Sequence, residues 1–175
     1  MSTSNLKTNL LLASQSPRRS ELLKLIGKPF EVEPANINEN MEKNEEPYSY
    51  AKRLALSKSL KVAQNNVNGS IVIGADTIIE FNNKILKKAK NTKEAKKKLN
   101  KLSGKKHHIY SSAAAYYKNK LVWKKTQKTT VKIRRLNKKE INEYLKKTDK
   151  SILLSVGCFQ IEKDGPNIIE NIKGD

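Results

Sequence analysis

Two short apolar runs, each adjoining a helical pattern, constrain the fold of this chain more than any other feature. Asn9 to Ala13 (NLLLA) leads into a segment where Ser16 followed by Pro17 predicts a helix start. Ser70 to Ala75 (SIVIGA) is the strongest candidate for a buried strand, and it follows a helical pattern that begins at Pro47. This interleaving of strands and helices predicts an α/β fold with a mixed sheet.

The remaining elements follow from periodicity and from turn residues. The first helix takes its apolar face from leucines and an isoleucine and stops at Gly27. No linker or internal repeat separates domains, so the sequence predicts one domain over residues 1–175. The other predicted elements are an extended piece Phe30 to Val32, a helix from Pro47 to Gln64, a hairpin-like turn at Asn82 and Asn83 after Ile78 to Phe81, a helix from Thr92 to Leu102 capped by Thr92, strands His108 to Tyr117 and Leu121 to Ile133 turned at Lys118 to Lys120, a helix Lys138 to Lys147 capped by Asn137, a strand Ser155 to Ile161, and a short helix Asn167 to Ile172.

Cysteine count and apolar run length restrict the cellular setting. The single cysteine, Cys158, excludes a disulfide framework and a cysteine-cluster zinc site, and its apolar neighbours predict a buried thiol. The apolar runs fall far short of the roughly 20 residues that span a bilayer. The polar residues before Leu10 do not resemble a signal peptide. We therefore expect a soluble, cytoplasmic protein without a membrane partner.

Positive charge is concentrated in one part of the chain. The formal net charge is +19, and the segment from Lys84 to Lys150 contains 24 basic and 4 acidic residues. Lysine far outnumbers arginine, whereas recognition of phosphates and base edges favours the planar arginine fork. The excess is interpreted as compositional bias on solvated faces, with nonspecific nucleic-acid affinity as a side effect. A noncatalytic nucleic-acid-binding protein is the alternative.

The first helix start carries an unusual pair of cations. Arg18 and Arg19 follow Pro17 directly, although the amino end of a helix is already positive. With the hydroxyls of Ser14 and Ser16 and the free backbone N–H groups, the two guanidinium groups make a plausible phosphate cradle. The alternative is that both arginines point into solvent.

A carboxylate follows the best strand candidate. Asp76, in Gly74-Ala75-Asp76-Thr77, is placed where open α/β sheets hold ligands and catalytic groups. It is a candidate general base or a ligand for Mg²⁺ or Mn²⁺, and the alternative is a turn-capping role.

Three further polar residues have two readings each. Lys58 shares a helix face with small apolar residues, so it either snorkels to solvent or meets an anion. Glu39, in an acidic loop, is a candidate metal or water partner or a solvated charge. His107 lacks the companions of a zinc site, and a role at a strand edge is the prediction.

The motifs, taken in order, resemble the Maf family of nucleoside triphosphate pyrophosphatases. The matching segments are Leu12 to Arg19 (LASQSPRR) with Glu21 to Leu23, Ile37 to Glu39, Arg53 to Ala55 with Lys58, Gly74 to Thr77 (GADT), Ile85-Leu86 with Lys88, Leu102 to Gly104 with His107, and Gly157 to Glu162. The match is collinear over nearly the whole chain. It stops at Gly174-Asp175, before a Gly-Leu-Pro segment and final helix that the family carries.

The resemblance implies a Maf/ITPase-like fold: a strongly curved mixed sheet flanked by helices, in two lobes with a central cleft, commonly a homodimer. It also implies hydrolysis of an NTP or dNTP to the monophosphate and pyrophosphate with a divalent cation, Mg²⁺ or Mn²⁺. The roles that it assigns are Asp76 as proton acceptor, Ser14, Arg18, Arg19, Lys58 and Lys88 on the triphosphate, and Glu39 with Asp76 on the metal.

The base would be selected at positions matching Arg18, Thr77 and Glu162. The branch similar to dTTP and UTP pyrophosphatases has Gln where this chain has Glu162. A carboxylate only accepts hydrogen bonds, which suits the N1–H and amino group of guanine. The resemblance therefore favours a 7-methyl-GTP-like substrate. Lys87-Lys88-Ala89, in place of the family's Gly-Lys-Pro, predicts a differently shaped loop around Lys88.

Overall fold

The computed structural model describes residues 9–66, 69–148, 152–153, 155–160 and 167–174. The chain divides into two compact units. Unit 1 comprises Met1–Asp76 and Ser111–Thr126, and unit 2 comprises Thr77–Tyr110 and Gln127–Asp175. The single domain, the sheet curvature and the central cleft expected from the resemblance stay predictions.

The described residues form four α-helices and seven strands, which alternate along the chain as the sequence predicts. No described helix is both long enough and apolar enough to cross a membrane. The elements in chain order are β1 (Leu10–Leu12), α1 (Pro17–Lys24), β2 (Glu31–Val32), α2 (Pro47–Asn65), β3 (Ile71–Phe81), β4 (Lys84–Ile85), α3 (Thr92–Leu102), β5 (Lys106–Tyr117), β6 (Lys120–Ile133), α4 (Lys138–Lys147) and β7 (Ile169–Lys173).

The strands form one mixed sheet, which confirms the predicted α/β class. Its strand order is β2-β1-β3-β5-β6-β7, with β4 paired to β3. β1 pairs in parallel with β2 and with β3, and Leu12 lies opposite Ile73. β4 and β7 pair antiparallel with β3 and β6. The predicted turn between β5 and β6 is confirmed at Lys118 and Asn119, both with positive φ.

Unit 1 has a small apolar core in which α2 lies directly against β3. The core residues are Leu11, Ala13, Val62, Ala63 and Val72. A Cβ on Gly74 would lie 2.5 Å from the Ala55 carbonyl oxygen and 2.5 Å from the Ser59 backbone nitrogen. Only glycine therefore permits the helix backbone to approach the strand this closely.

Unit 2 has a larger core, to which sixteen of its described residues contribute buried side chains. It includes the apolar faces of α3 and α4, which pack against each other. Asn137 caps α4 as predicted, in a reciprocal capping box with Glu140. The cap of α3 is Asn91 and not Thr92, because the Asn91 side chain accepts from the Glu94 backbone N–H.

Three predicted elements differ from the structure. β3 runs on to Phe81, so Asp76 lies within the strand and not at its carboxyl end. The predicted tail helix is instead strand β7, whose Ile172 lies opposite Val131 of β6. Pairing with a neighbouring strand overrides the weak local helix signal of such a short segment. Most of the predicted strand from Ser155 to Ile161 is described, and it contains no strand.

The first helix buries less of its apolar face than its pattern predicts. Pro17 opens α1 and Gly27 closes it with a positive φ, as predicted. Ser16 stands at the N-cap without a side-chain capping bond. Of the apolar side chains only Leu23 is buried, and Leu25 is 82% exposed. Only one narrow stripe of α1, at Leu23, is therefore packed against the rest of the protein.

Candidate active site

The start of α1 and the carboxylate of β3 meet in unit 1. β1 and β3 are parallel, with Leu12 opposite Ile73. Ser14, two residues beyond the end of β1, therefore lies close to the part of β3 that carries Asp76. The buried Ser14 hydroxyl oxygen accepts from the Ser16 backbone N–H at 3.1 Å and from Arg19 Nη1 at 3.1 Å. Arg19 Nη2 lies 3.6 Å from Asp76 Oδ1. The structure thus brings together the two places that the sequence singled out separately.

Arg19 is turned inward. Its side chain is 23% exposed, and burial lowers the pKa of its guanidinium, against the opposing effects of Asp76 and Glu39. The neighbouring charge of Arg18, itself half-buried, lowers that pKa further. The solvent-facing alternative is therefore wrong for Arg19.

Lys58 links two carboxylates. Its Nζ lies 2.6 Å from Asp76 Oδ1 and 3.0 Å from Glu39 Oε1. Lys58 and Asp76 are 6% and 7% exposed. Of the two readings of Lys58, the structure supports contact with an anion, since buried charges require partners. The close approach of α2 to β3 at Gly74 brings the lysine within reach of the aspartate.

Glu39 reaches this cluster from the loop before α2. Its side chain is 55% exposed, but its carboxylate contacts Lys58. The loop is attached to α2 by Tyr50, whose hydroxyl donates to the Glu39 carbonyl, and by Arg53, which donates to the Asn40 carbonyl. Sequence reasoning did not assign a role to Tyr50 or to the Arg53 side chain. Their spacing of three residues on one helix, directly after an acidic loop, was the available signal.

The donor set fits the divalent cation that the family resemblance implies. Oxygens of Glu39 and Asp76 converge on one point, the Lys58 ammonium. Mg²⁺ is commonly bound through one or two carboxylates, with water and substrate phosphates completing the shell. Among the described residues there is no group of three or more His, Cys, Asp or Glu that could hold a metal ion alone. The two carboxylates are therefore suited to a cation that arrives with phosphate ligands.

Two other predicted site residues, Thr77 and Lys88, belong to unit 2. Thr77 follows Asp76 in β3 and is half-buried, and Lys88 is exposed in unit 2 between β4 and α3. Glu162 lies outside the described residues. The predicted buried thiol of Cys158 is confirmed, and burial raises its pKa.

His107 is a core residue and not the strand-edge residue that the sequence predicted. Its ring is 1% exposed and packs edge-on against Phe159 at 5.5 Å, and neither ring nitrogen has a hydrogen-bond partner among the described residues. Burial, with a smaller contribution from the nearby His108, lowers its pKa to about 4. We therefore interpret His107 as a neutral side chain that contributes to core packing.

Comparison with known proteins agrees with the motif resemblance. The family described as Maf-like protein matches residues 9–175. A dTTP/UTP pyrophosphatase of Bacillus cereus strain G9842 is 39% identical over 166 residues, which cover 95% of this chain and 85% of the relative. A dTTP/UTP pyrophosphatase of Bacillus anthracis has the same identity and coverage.

Solved structures give a weaker likeness. A nucleoside-triphosphatase, or dITP/XTP pyrophosphatase, of Mycobacterium abscessus is 16% identical with a TM-score of 0.41, covering 74% of this chain and 76% of that one. The Ham1 protein of Staphylococcus aureus has the same identity and score, covering 71% and 70%. A superposition at this level does not bear on the chemistry.

Proposed function

The chain belongs to the Maf-like protein family, and from that premise we propose that it hydrolyses nucleoside triphosphates to the monophosphate and pyrophosphate. The reaction class is that of hydrolases acting on phosphoric anhydrides. The observation that supports the proposal most is the cluster in unit 1 in which Arg19 and Lys58 contact Asp76 and Lys58 also contacts Glu39.

In the proposed reaction a water oxygen bonds to the α-phosphorus as the bond from that phosphorus to the bridging oxygen breaks. Pyrophosphate leaves with the bridging oxygen, and one proton of the water passes to Asp76. The carboxylate is suited to this role because Lys58 and Arg19 hold it in a fixed position at the cluster. A base in this position contributes typically 10²- to 10⁴-fold to a rate.

The cations of the cluster are proposed to hold the triphosphate. Arg19 offers a planar fork, Lys58 a compact charge, and Ser14 a hydroxyl beside the start of α1. Arg18 and Lys88 are assigned to the same task from the resemblance. When bound through Glu39 and Asp76, Mg²⁺ or Mn²⁺ would offset negative charge on the reacting phosphate. Fixed positive charge of this kind is the main means of stabilising phosphoryl-transfer transition states.

The test is release of pyrophosphate from a panel of nucleotides with Mg²⁺ or Mn²⁺. We expect metal-dependent turnover that falls at least 100-fold in Asp76→Asn, which keeps the shape and removes the base. Glu80→Gln, a carboxylate change in the same strand, is the matched control and should keep full activity. Absence of turnover, together with salt-sensitive binding of RNA or DNA, would favour the nucleic-acid-binding alternative.

Two observations point to different bases. The relatives are named dTTP/UTP pyrophosphatases, which favours a pyrimidine. Glu162 favours guanine, in particular a 7-methylated and therefore cationic guanine, because it can only accept hydrogen bonds. Including dTTP, UTP, GTP and 7-methyl-GTP in the panel decides between them. If Glu162 selects the base, Glu162→Gln should shift the substrate preference toward dTTP and UTP. An unchanged substrate preference would show that Glu162 does not select the base.

A homodimer is also proposed from the family resemblance, and the mass of the native protein in solution tests it. Nonspecific affinity for nucleic acid is proposed only from the lysine-rich segment.

A further inference from the structure

Two side chains of α2 hold the backbone of the loop that carries Glu39. The Tyr50 hydroxyl donates to the Glu39 carbonyl oxygen at 2.5 Å, and Arg53 Nη2 donates to the Asn40 carbonyl oxygen at 2.9 Å. The two side chains stand three residues apart on the helix and contact consecutive residues of the loop. Since Lys58 contacts the Glu39 carboxylate, one helix fixes both the backbone and the side chain of this residue.

Arg53 is itself fixed before it reaches the loop. Its Nε lies 2.6 Å from Glu45 Oε1 and its Nη2 lies 2.7 Å from Glu45 Oε2. The Glu45 side chain is 8% exposed, and the hydrogen bond with Arg53 lowers the pKa of Glu45 and raises that of Arg53. The guanidinium also lies 5.4 Å from the centre of the Tyr50 ring. This bidentate pair presets the arginine in the geometry that meets Asn40.

The attachment matters because the loop has no helix or strand of its own. Residues 33–46 connect β2 to α2, and the Glu39 side chain is 55% exposed. Ordering one loop residue costs roughly 1–2 kcal/mol, and a loop ordered in advance does not pay that cost on binding.

We infer that Tyr50 and Arg53 are positioning residues that set the Glu39 carboxylate beside Lys58 and Asp76 for metal-bound nucleotide. The inference rests on the proposed function for its kinetic consequence, but the attachment of the loop can be measured without activity.

The test compares Tyr50→Phe and Arg53→Lys with Lys61→Met, which removes an exposed charge from the same helix. Tyr50→Phe deletes only the hydroxyl, and Arg53→Lys keeps the charge but loses the fork. For Tyr50→Phe we expect the KM for Mn²⁺-nucleotide to rise about fivefold, the equivalent of one net hydrogen bond, with a smaller change in kcat. Mn²⁺ affinity, measured by electron paramagnetic resonance in the presence of a non-hydrolysable nucleoside triphosphate analogue, should fall by a similar factor. Arg53→Lys should change both quantities at least as much, and Lys61→Met neither.

Hydrogen exchange of the loop amides is the readout that is independent of catalysis. Several of these amides are protected by local bonds, including that of Asn40 to the Asn38 side chain and that of Glu42 to Glu45. Their exchange should be faster in both variants and unchanged in Lys61→Met. Unaltered exchange together with unaltered Mn²⁺ affinity in both variants would overturn the inference. If the wild-type protein cleaves no nucleotide, the proposed function fails, and exchange and Mn²⁺ affinity decide the positioning role.

Discussion

Unit 1 buries charge, whereas unit 2 buries hydrocarbon. The two buried residues with a formal charge in the described part of the chain, Lys58 and Asp76, are both in unit 1. Unit 2 contains the larger apolar core and most of the lysine-rich segment. The basic composition and the candidate site are therefore separate features, because lysines on a solvated face need no partner whereas a buried lysine does.

The same contrast separates two kinds of stabilising interaction. In unit 1 the buried charges depend on a few direct ion pairs, and moving one partner exposes the other to a large desolvation cost. In unit 2 the contribution is spread over sixteen apolar residues. A small displacement of side chains in unit 1 should therefore reduce catalytic activity. A similar displacement in unit 2 should reduce only the free energy of unfolding.

The largest effect is expected for Gly74→Ala. The added methyl group would meet backbone atoms of Ala55 and Ser59, so α2 must move away from β3 and carry Lys58 from Asp76. Overpacking of this kind costs about 1–3 kcal/mol, and a displacement of about 1 Å at a reacting group costs about 100-fold in kcat/KM. Pyrophosphate release and urea denaturation measure the two effects.

Gly27→Ala is the control for that variant. It adds the same methyl group in unit 1 at a turn with a positive φ and nothing within 4 Å. Backbone strain should cost about 1 kcal/mol of stability without loss of activity. Equal kcat/KM in the two variants would show that the approach of α2 to β3 does not set the site.

A smaller effect is expected for the pH dependence of unit 2. The pKa of His107 is about 4 in the folded protein, below its ordinary value of 6.5. Between these values the unfolded chain binds the proton and the folded chain does not. Stability should therefore be complete above pH 6.5 and fall as the pH is lowered, by about 2 kcal/mol between pH 6.5 and 5.

Urea denaturation of His107→Leu checks this prediction. Leucine has a similar volume and no titrating group, so this contribution to the slope between pH 6.5 and 5 should disappear. The control is His108→Gln, because His108 is only half-buried and its Nδ1 has a partner in Thr130. A slope as steep in His107→Leu as in the wild type would assign the pH dependence to other groups.

Sequence reasoning identified local features well and long-range pairing poorly. The helix start at Pro17, the capping of α4 by Asn137 and the turn at Lys118 follow from nearest neighbours alone. The extension of β3 through Asp76 and the strand at Ile169–Lys173 depend on strands distant in sequence, which no local pattern encodes.

The candidate site divides in the same way. Arg19, Lys58 and Asp76 were named from residue type and position. The distances between these side chains follow from the register of β1 with β3 and from the close approach of α2 to β3 at Gly74. Neither feature can be predicted from a local sequence pattern. The roles of Tyr50 and Arg53 were missed for the same reason, since both contact carbonyl groups of a loop whose path the sequence does not specify.

The smallest effect is expected from removing charge on the surface of unit 2. Lys93, Lys97 and Lys101 lie on the exposed side of α3. Their combined replacement by Gln should leave kcat/KM unchanged and alter stability by no more than about 0.5 kcal/mol per site. Binding of a homopolymeric RNA should weaken, and its dependence on salt should become shallower because fewer counterions are released. A large loss of nucleotide hydrolysis in this variant at physiological salt would mean that the lysine-rich surface takes part in the chemistry. The basic composition and the candidate site would then not be independent features.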